Sequence, residues 1–394
     1  MNTGAELYLD TARLGRMKRS AQGAVTDFAR LSGQAALTLY GTNFFVHGFE
    51  ALSARQRRGC PRLGSWGGID QFKGTVLQYV EADSDQVCLL SSRSLALFRQ
   101  GVMLMAQRCR RVLVPDLLWR PYTSVLHAII REGGAQVEHL HLRRDVFVER
   151  NSGDDIVEQI ATCFAATKCD AACLPAVTHD GVRLPLDRII DRMRETAPKC
   201  FVLVDAAQGL GHVPSDFGIN RADLVVAGAH KWVGAGMPLG IGIGSRKVVQ
   251  ELWDISGDDP LLALTSPNGF INGTETVNLW PLISSNAVLG EPRSPKRGVE
   301  GAFVTLVANR RAILRSIRGL NWSPVLPHRS LRSGILLLRN DRLQQGSRNS
   351  ESMRAHFYNA GIVLSSYPDN LVRLSLPAKK IPEADLMRFV SALR

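Results

Sequence analysis

Short apolar runs alternate with helix-length amphipathic stretches along the first two-thirds of the chain. Runs of four or five residues between turn-forming residues are typical of buried strands. Strands are predicted at Gln86–Leu90, Arg111–Val114, Ala171–Pro175, Phe201–Val204, Leu224–Ala227 and Gly240–Gly244. Helices are predicted between them at Ser94–Gln107, Tyr122–Glu132, Asp154–Ala166 and Leu186–Thr196. This alternation predicts an α/β fold with a mostly parallel sheet and crossover helices.

The composition of the sequence changes after about Ile271: proline, arginine and serine become frequent, and strand patterns become sparse. A last strand is predicted at Leu371–Leu376 and a last helix at Pro382–Leu393. A chain of 394 residues exceeds the usual size of one core. We therefore predict an N-terminal segment over residues 1–20, a large domain over 21–270 and a smaller α+β domain over 271–394.

Composition places the chain among folded proteins, with 45% hydrophobic and 21% charged residues. No stretch approaches the roughly 18 apolar residues of a membrane span, and the first residues lack a secretory signal. We therefore expect a cytoplasmic protein that does not enter a membrane. Seven scattered cysteines form no CxxC pair, which argues against a disulfide framework and against a metal site.

The net charge of +12 is concentrated in one segment. Residues 291–350 carry twelve lysines or arginines against three acids. Part of the segment follows a helical pattern in which Arg310, Arg311, Arg315 and Arg318 fall largely off the apolar stripe. Because no nucleic-acid signature accompanies the arginines, we interpret them as a solvated basic face and expect no nucleic-acid partner.

The most informative stretch is Phe201–Arg246, where two apolar strands each deliver polar side chains to a carboxyl end. The first strand ends at Asp205 and the second is followed by His230 and Lys231. Open α/β sheets bind their ligands at this edge. A lysine directly after a buried strand is unusual, and burial lowers its pKa toward the neutral amine that imine formation requires.

This stretch resembles the class V aminotransferase and cysteine desulfurase family, which belongs to the fold type I pyridoxal phosphate enzymes. The resemblance rests on DAAQ at 205–208 and AHK at 229–231. Further signposts occur in the family's order, namely YLDTARLG at 8–15, LLSSRS at 89–94, DLLWRPY at 116–122, NGTETVN at 272–278 and VRLSL at 372–376. The resemblance implies a pyridoxal 5′-phosphate cofactor held as an imine by Lys231, and an N-terminal segment near the active site.

The resemblance also implies roles around the cofactor ring. Asp205 would hold the pyridine nitrogen protonated, which lets the ring accept electrons from a broken bond at the substrate's α-carbon. Gln208 would donate to the phenolic oxygen, and Trp119 would stack on the ring. Thr178 and His179 occupy the region that contacts the phenolic oxygen or the substrate.

The phosphate is expected at a helix N-terminus, where backbone N–H groups and hydroxyls bind anions. The residues expected there are Ser92, Arg93, Ser94, His230 and Thr274. The sequence departs from the family at Arg93, since glycine and threonine are usual in this run, and at Gly228, where the family often has serine. His230 and Thr274 would then carry more of the phosphate contacts, with Thr274 reaching the partner's site in a homodimer.

Two arginines are the candidate substrate ligands. Arg373 matches the arginine with which the family binds the α-carboxylate in a two-bond fork. Arg13 could reach a distal acidic group.

An aminotransferase is the first interpretation; a β- or γ-eliminating lyase of the desulfurase kind or an epimerase is the alternative enzyme. A non-catalytic scaffold or nucleic-acid-binding protein is the alternative from another class. No cysteine follows Cys200, which argues against a desulfurase persulfide.

Overall fold

A computed structural model describes residues 6–35, 42–214, 217–255, 277–292, 298–342 and 349–394. The strands are β1 Leu7–Tyr8, β2 Gln86–Ser91, β3 Arg111–Pro115, β4 Gln136–Leu140, β5 Ala171–Pro175, β6 Phe201–Asp205, β7 Leu224–Gly228, β8 Gly240–Ser245, β9 Trp322–Val325, β10 Ile335–Asn340, β11 Ile362–Val363, β12 Ser365–Tyr367 and β13 Leu371–Ser375. The α-helices are α1 Arg19–Gln34, α2 Thr42–His47, α3 Ala54–Gly59, α4 Ile69–Tyr79, α5 Ser94–Arg108, α6 Arg120–Glu132, α7 Arg143–Phe147, α8 Gly153–Ala166, α9 Leu186–Thr196, α10 Arg246–Asp254, α11 Trp280–Leu289, α12 Val299–Ser316, α13 Ser350–Asn359 and α14 Glu383–Leu393.

The central sheet has seven strands in the order β2-β8-β7-β6-β5-β3-β4. Strands β4, β3, β5, β6 and β7 are mutually parallel, whereas β8 runs antiparallel to both β7 and β2. The predicted mostly parallel α/β fold is therefore confirmed. Strands β5, β6 and β7 are buried at every position, which explains why they read as continuous apolar runs.

Side chains of the central sheet alternate between two hydrophobic clusters, one on each face. In β6, Val202 and Val204 join one cluster while Phe201 and Leu203 join the other. Successive side chains of a strand point to opposite faces, so helices must cover both sides of this sheet. Because both faces are covered, a ligand can reach these strands only at their ends. The predicted polar site residues Asp205, His230 and Lys231 lie at or just after the carboxyl ends.

A second, antiparallel sheet has the order β12-β13-β10-β9 and a hydrophobic cluster of its own. The predicted last strand and last helix are confirmed as β13 and α14. The N-terminal segment joins this part of the chain, because β1 pairs in parallel with β11 and Asp10 forms a bridge with Ser375. The predicted domain boundary near residue 270 lies outside the described residues.

Helix α12 carries part of the basic segment. Arg311, Arg315 and Arg318 are exposed, in agreement with the predicted basic face. Arg310 departs from it: the side chain is buried and its Nη1 donates to the carbonyl of Ser333 at 2.6 Å. Burial lowers the pKa of Arg310 to about 10. Arg310 therefore ties α12 to the chain before β10. Within the described part of the chain, no helix has the length and apolar character needed to cross a membrane.

Candidate active site

A cavity of about 560 Å³ opens at the carboxyl ends of the parallel strands. Of the thirteen predicted site residues, eleven line it: Arg13, Arg93, Ser94, Trp119, Thr178, His179, Asp205, Gln208, His230, Lys231 and Arg373. Ser92 is exposed beside the cavity and does not line it. Thr274 lies outside the described residues. Segments far apart in the sequence thus converge on one space.

Lys231 lies in the turn after β7, within the cavity wall. Burial is the main cause that lowers the pKa of its amine, and the nearby Arg373 lowers it further. Asp205 acts in the opposite direction, since its carboxylate stabilises the charged amine. The N-terminal segment packs against this turn: Gly15 N donates to the carbonyl of His230 at 2.8 Å. A Cβ on Gly15 would lie 1.8 Å from the carbonyl oxygen of Lys231, so only glycine fits there.

Asp205 ends β6 and is 6% exposed. Its Oδ1 accepts a hydrogen bond of 2.9 Å from the backbone N–H of Ala207, and no described residue hydrogen-bonds to Oδ2. Burial raises the pKa of the carboxyl, although the Ala207 N–H and Lys231 both lower it. A buried acid with a free oxygen facing a cavity is suited to a cationic ligand group.

Gln208 is held by three neighbours in a fixed orientation. Its Nε2 donates to the carbonyl of Ala12 at 2.8 Å and its Oε1 accepts from the indole nitrogen of Trp232 at 2.7 Å. The imidazole of His212 stacks on the Trp232 ring, with centroids 3.6 Å apart and planes 7° apart. His212 Nδ1 contacts the carbonyl of Gln208 at 2.7 Å, and its Nε2 accepts from Gly334 N at 2.9 Å.

The protonation of His212 follows from these partners. A backbone N–H can only donate, so Nε2 carries no proton and Nδ1–H donates to Gln208. Burial lowers the pKa of His212 to about 3, which keeps the ring neutral. The side chain therefore connects the chain before β10 to the turn that carries Gln208.

The N-terminus of α5, the end of a helix that binds anions, lies at the cavity. Arg93 is its N-cap and makes no capping hydrogen bond, and Arg93, Ser94 and Leu95 line the cavity. A cation at the positive end of a helix dipole is unfavourable unless an anion binds between them. The hydroxyl of Ser94 lies 2.9 Å from that of Tyr122. His230 completes this region: its Nδ1 is buried without a partner, and burial lowers its pKa to about 4.

Gly228 explains part of this arrangement. A Cβ on Gly228 would lie 3.2 Å from two atoms of the His230 ring. The imidazole therefore fills the space in which the family often has a serine side chain. The absence of a side chain at Gly228 thus leaves room for the His230 ring.

Trp119 caps α6 and presents its ring to the cavity with 46% of the residue exposed. Its ring meets that of Tyr122 edge-on at 5.2 Å. Tyr122 in turn stacks on Phe98 at 4.1 Å and is buried, and burial raises the pKa of its hydroxyl. The exposed indole face is available to a planar ligand in the cavity.

Arg373 in β13 is buried and already paired. Its Nη2 contacts Asp10 Oδ1 and Ser365 Oγ, both at 3.1 Å, and its Nη1 donates to the carbonyl of His179 at 3.3 Å. Its Nε is buried without a partner. The guanidinium is thus fixed on one side and keeps unused donors on the other, as a carboxylate ligand requires.

Thr178 and His179 differ in what they can offer a ligand. The Thr178 hydroxyl donates to Asp180 and accepts from Val182 N at 2.9 Å, so it serves the local turn. The Nδ1 of His179 is buried without a partner, and burial lowers the pKa of the ring. His179 is therefore the more available of the two.

Several site residues were not predicted from the sequence. Tyr122 and Asp10 lie inside the quoted DLLWRPY and YLDTARLG motifs, which was the available signal. Trp232 adjoins the lysine. Arg354, which also lines the cavity, stands in α13 with no pattern to mark it.

The residues present fit pyridoxal 5′-phosphate. The unsatisfied end of α5 with Arg93 suits a phosphate, the buried Asp205 oxygen suits a pyridinium, and the lowered pKa of Lys231 suits imine formation. His230 and His179, each with a buried Nδ1 that has no partner among the described residues, also line the cavity. None of the seven cysteines lines the cavity, and burial raises the pKa of every one.

Comparisons with known proteins agree with this geometry. The family described as Aminotransferase class-V matches residues 69–289, more than half of the chain. Similar solved structures include a cysteine desulfurase from Escherichia coli, at 15% identity and TM-score 0.72, with 98% of this chain and 93% of that chain covered. A cystine C-S lyase is 15% identical with TM-score 0.70, covering 98% and 97% of the two chains. A phosphoserine aminotransferase from Cytophaga hutchinsonii is 14% identical with TM-score 0.65, covering 98% of each chain. No curated protein matches the sequence significantly.

Proposed function

The chain belongs to the aminotransferase class-V family, and from that premise we propose that it is an aminotransferase in which Lys231 holds the cofactor. Members of the family are pyridoxal 5′-phosphate enzymes that transform amino acids. The observation that carries the proposal is the placement of Lys231, a lysine of lowered pKa in the same cavity as the buried Asp205. When bound, the cofactor supplies an electron sink for the bond broken at the substrate's α-carbon.

Each remaining role falls to a residue of the cavity. With the cofactor bound, Asp205 would hold a proton on the ring nitrogen, and Gln208 would offer its second Nε2 hydrogen to the phenolic oxygen. Arg93, Ser94 and His230 bind the phosphate. Trp119 covers a face of the ring. Ser92 does not line the cavity, and the Thr178 hydroxyl is engaged by Asp180 and Val182, so neither side chain is assigned a contact to the cofactor.

Arg373 positions the substrate. Its free donors bind the α-carboxylate, while Asp10 and Ser365 hold the guanidinium in place. A fixed carboxylate restricts rotation of the substrate and so fixes the orientation of the bonds to its α-carbon. The Nζ of Lys231 is then suited to act as the base that moves the α-proton, because its lowered pKa favours the neutral amine.

The cysteines favour transamination over desulfuration. A persulfide-forming enzyme needs an accessible thiol of low pKa, and every thiol here lies outside the cavity with a raised pKa. Elimination without an enzyme thiol is the second candidate, since a cystine C-S lyase shares the fold. The two reactions differ in whether the amino group leaves as ammonia or passes to an acceptor.

The decisive experiment follows the amino group. Purified protein with pyridoxal 5′-phosphate is given a panel of ¹⁵N-labelled amino acids, with and without a 2-oxo acid acceptor. Transfer of label to the acceptor is expected. Acceptor-independent release of labelled ammonia and pyruvate would replace the aminotransferase with a lyase.

Borohydride trapping tests the lysine separately. Reduction should fix the cofactor to the peptide that contains Lys231, and Lys231→Ala should abolish the fixation while the protein stays folded. The exposed Lys247 gives the matched control, since Lys247→Ala should change nothing. Fixation at another lysine would contradict the assignment.

A further inference from the structure

The charges around the cavity are unequal in number. Its lining includes the cationic side chains Arg13, Arg93, Lys231, Arg354 and Arg373, against Asp205 as the one carboxylate among the described lining residues. Cations that face one another across a cavity repel and are stabilised by bound anions. The cavity is therefore built for more negative charge than the protein itself supplies.

The proposed function accounts for three of these cations. Lys231 holds the cofactor, Arg93 lies at the phosphate end of α5, and Arg373 faces the α-carboxylate with Asp10 behind it. Two arginines, Arg13 and Arg354, have no role in that scheme.

Arg13 and Arg354 lie together at the rim of the cavity. Both also line a second cavity of about 270 Å³, together with Asp10 and Glu351, and this cavity adjoins the first through the two arginines. The backbone N–H of Arg13 donates to the carbonyl of Asp10 at 2.9 Å, and the Asp10 carboxylate contacts Arg373. The rim thus begins beside the proposed α-carboxylate site.

Neither guanidinium is committed to a strong partner. Among the described residues, no hydrogen bond or ion pair engages the Arg13 side chain. Arg354 Nη2 is 3.8 Å from Glu351 Oε1, with 47% and 77% of the two side chains exposed. Exposed pairs at such distances are worth little and are easily exchanged for a ligand.

We propose that the substrate is an amino acid with a second anionic group on its side chain, bound by Arg13 and Arg354. The inference rests on the proposed function, because it places the α-carboxylate on Arg373. A guanidinium pairs with either a carboxylate or a phosphate through two parallel hydrogen bonds. Side chains ending in either group therefore share the chemistry that this rim recognises.

The test compares matched amino acids on the cofactor-loaded enzyme. L-Aspartate, L-glutamate and O-phospho-L-serine are set against L-asparagine, L-glutamine and L-serine. Binding is read from the change in cofactor absorbance on titration, and turnover from kcat/KM with a common 2-oxo acid acceptor. At least one acidic amino acid should exceed its neutral partner by about tenfold or more in both readouts, the size of one charge-assisted contact. The carboxylate and phosphate arms tell the two anions apart.

Variants locate the effect. Arg13→Gln and Arg354→Gln should each reduce affinity for the acidic amino acid by about tenfold and leave its neutral partner unchanged. Arg13→Lys should retain part of the preference, because it keeps the charge and loses the fork. Arg16→Gln is the matched control: Arg16 is an exposed arginine of the same segment, pairs with Glu6 at 3.3 Å and does not line the cavity.

The outcomes separate this inference from its premise. Turnover without preference for an acidic side chain, or a preference that survives the double variant, would overturn the inference and leave the enzyme assignment standing. Failure to bind the cofactor, or to transform any amino acid, would overturn the proposed function and this inference with it.

Discussion

The indole nitrogen of Trp232 donates a hydrogen bond of 2.7 Å to Oε1 of Gln208 and thereby fixes the orientation of the Gln208 side-chain amide. An indole N–H can only donate, so the oxygen must face Trp232. The Nε2 group then faces Ala12 and the cavity. Gln208 can therefore offer a ligand a donor and not an acceptor, as a phenolic oxygen requires.

Trp232→Phe tests this orientation, because it keeps a ring beside His212 and removes the donor. Cofactor affinity should fall by about threefold to tenfold, the cost of one hydrogen bond, and the pH titration of the cofactor's absorbance should shift. The control is Trp322→Phe, which removes an indole bond of 2.9 Å to the Leu393 carbonyl far from the cavity. Equal effects of the two changes would show that Trp232 serves stability alone.

Asp205→Asn should lower kcat by at least about 10²-fold, a size typical of losing one preorganised electrostatic contact. The amide is nearly isosteric but cannot keep the ring nitrogen protonated. Asp223→Asn is the comparison, because Asp223 is a second acid whose pKa burial raises, bonded to Val202 N at 2.8 Å at the opposite end of the sheet. That variant should lose stability and retain turnover per folded, cofactor-loaded molecule. Single-turnover absorbance measurements would distinguish the two.

His212 should make the fold sensitive to acid. Its pKa falls from an ordinary 6.5 to about 3 in the folded protein, so the folded state binds fewer protons than the unfolded chain. This contribution is intact above pH 6.5 and is lost as the pH falls from 6.5 toward 3, amounting to about 2 kcal/mol at pH 5. His212→Gln should flatten the decline in unfolding free energy between pH 7 and pH 5 by about that amount, as measured by urea denaturation. Parallel curves for the two proteins would refute the role of His212.

Incubation with L-cysteine should leave no persulfide on the protein. All seven thiols are outside the cavity and none has the lowered pKa of a sulfur acceptor. Mass spectrometry after reaction provides the measurement, and Cys200→Ala, the last cysteine of the chain, should turn over amino acids like the unaltered protein. A persulfide formed at the rate of alanine release would contradict this prediction.

A homodimer with shared sites predicts complementation between variants. Thr274→Arg and Lys231→Ala should each be inactive alone, because each removes one half of every site. If Thr274 serves the opposite subunit, a mixed dimer contains one intact site and should recover up to about half of the activity per dimer. Purified mixed dimers that stay inactive while both variants fold and dimerise would place Thr274 in its own subunit's site.

Much of the large sheet could be predicted because strands that are buried on both faces appear in the sequence as unbroken apolar runs. The run before Asp205 therefore identified the end of β6, and the run before Lys231 located that residue in the same way. Strand β4 was not predicted, for the opposite reason: it lies at the edge of the sheet, is half-exposed, and three of its five residues are polar. The antiparallel direction of β8 is set by its pairing with β2 and β7, which local sequence does not encode.

Contacts between distant segments were beyond the sequence. Arg373 was recognised by its motif, but its partner Asp10 stands 363 positions earlier. The burial of Arg310 depends in the same way on the Ser333 carbonyl, which no helical periodicity reveals. Periodicity reports which face of an element is buried and leaves open what covers it.

The pairing of β1 with β11 also orders events during synthesis. Residues 7–15 are synthesised long before residues 361–375, with which they pair. At about 5–20 residues per second, the opening segment waits on the order of tens of seconds for its partner strand. Ala12 and Arg13 line the cavity and Gly15 contacts the turn that carries Lys231, so the cavity lacks one of its walls until these two segments pair. The cavity can therefore accept a ligand only after residues 361–375 have been synthesised.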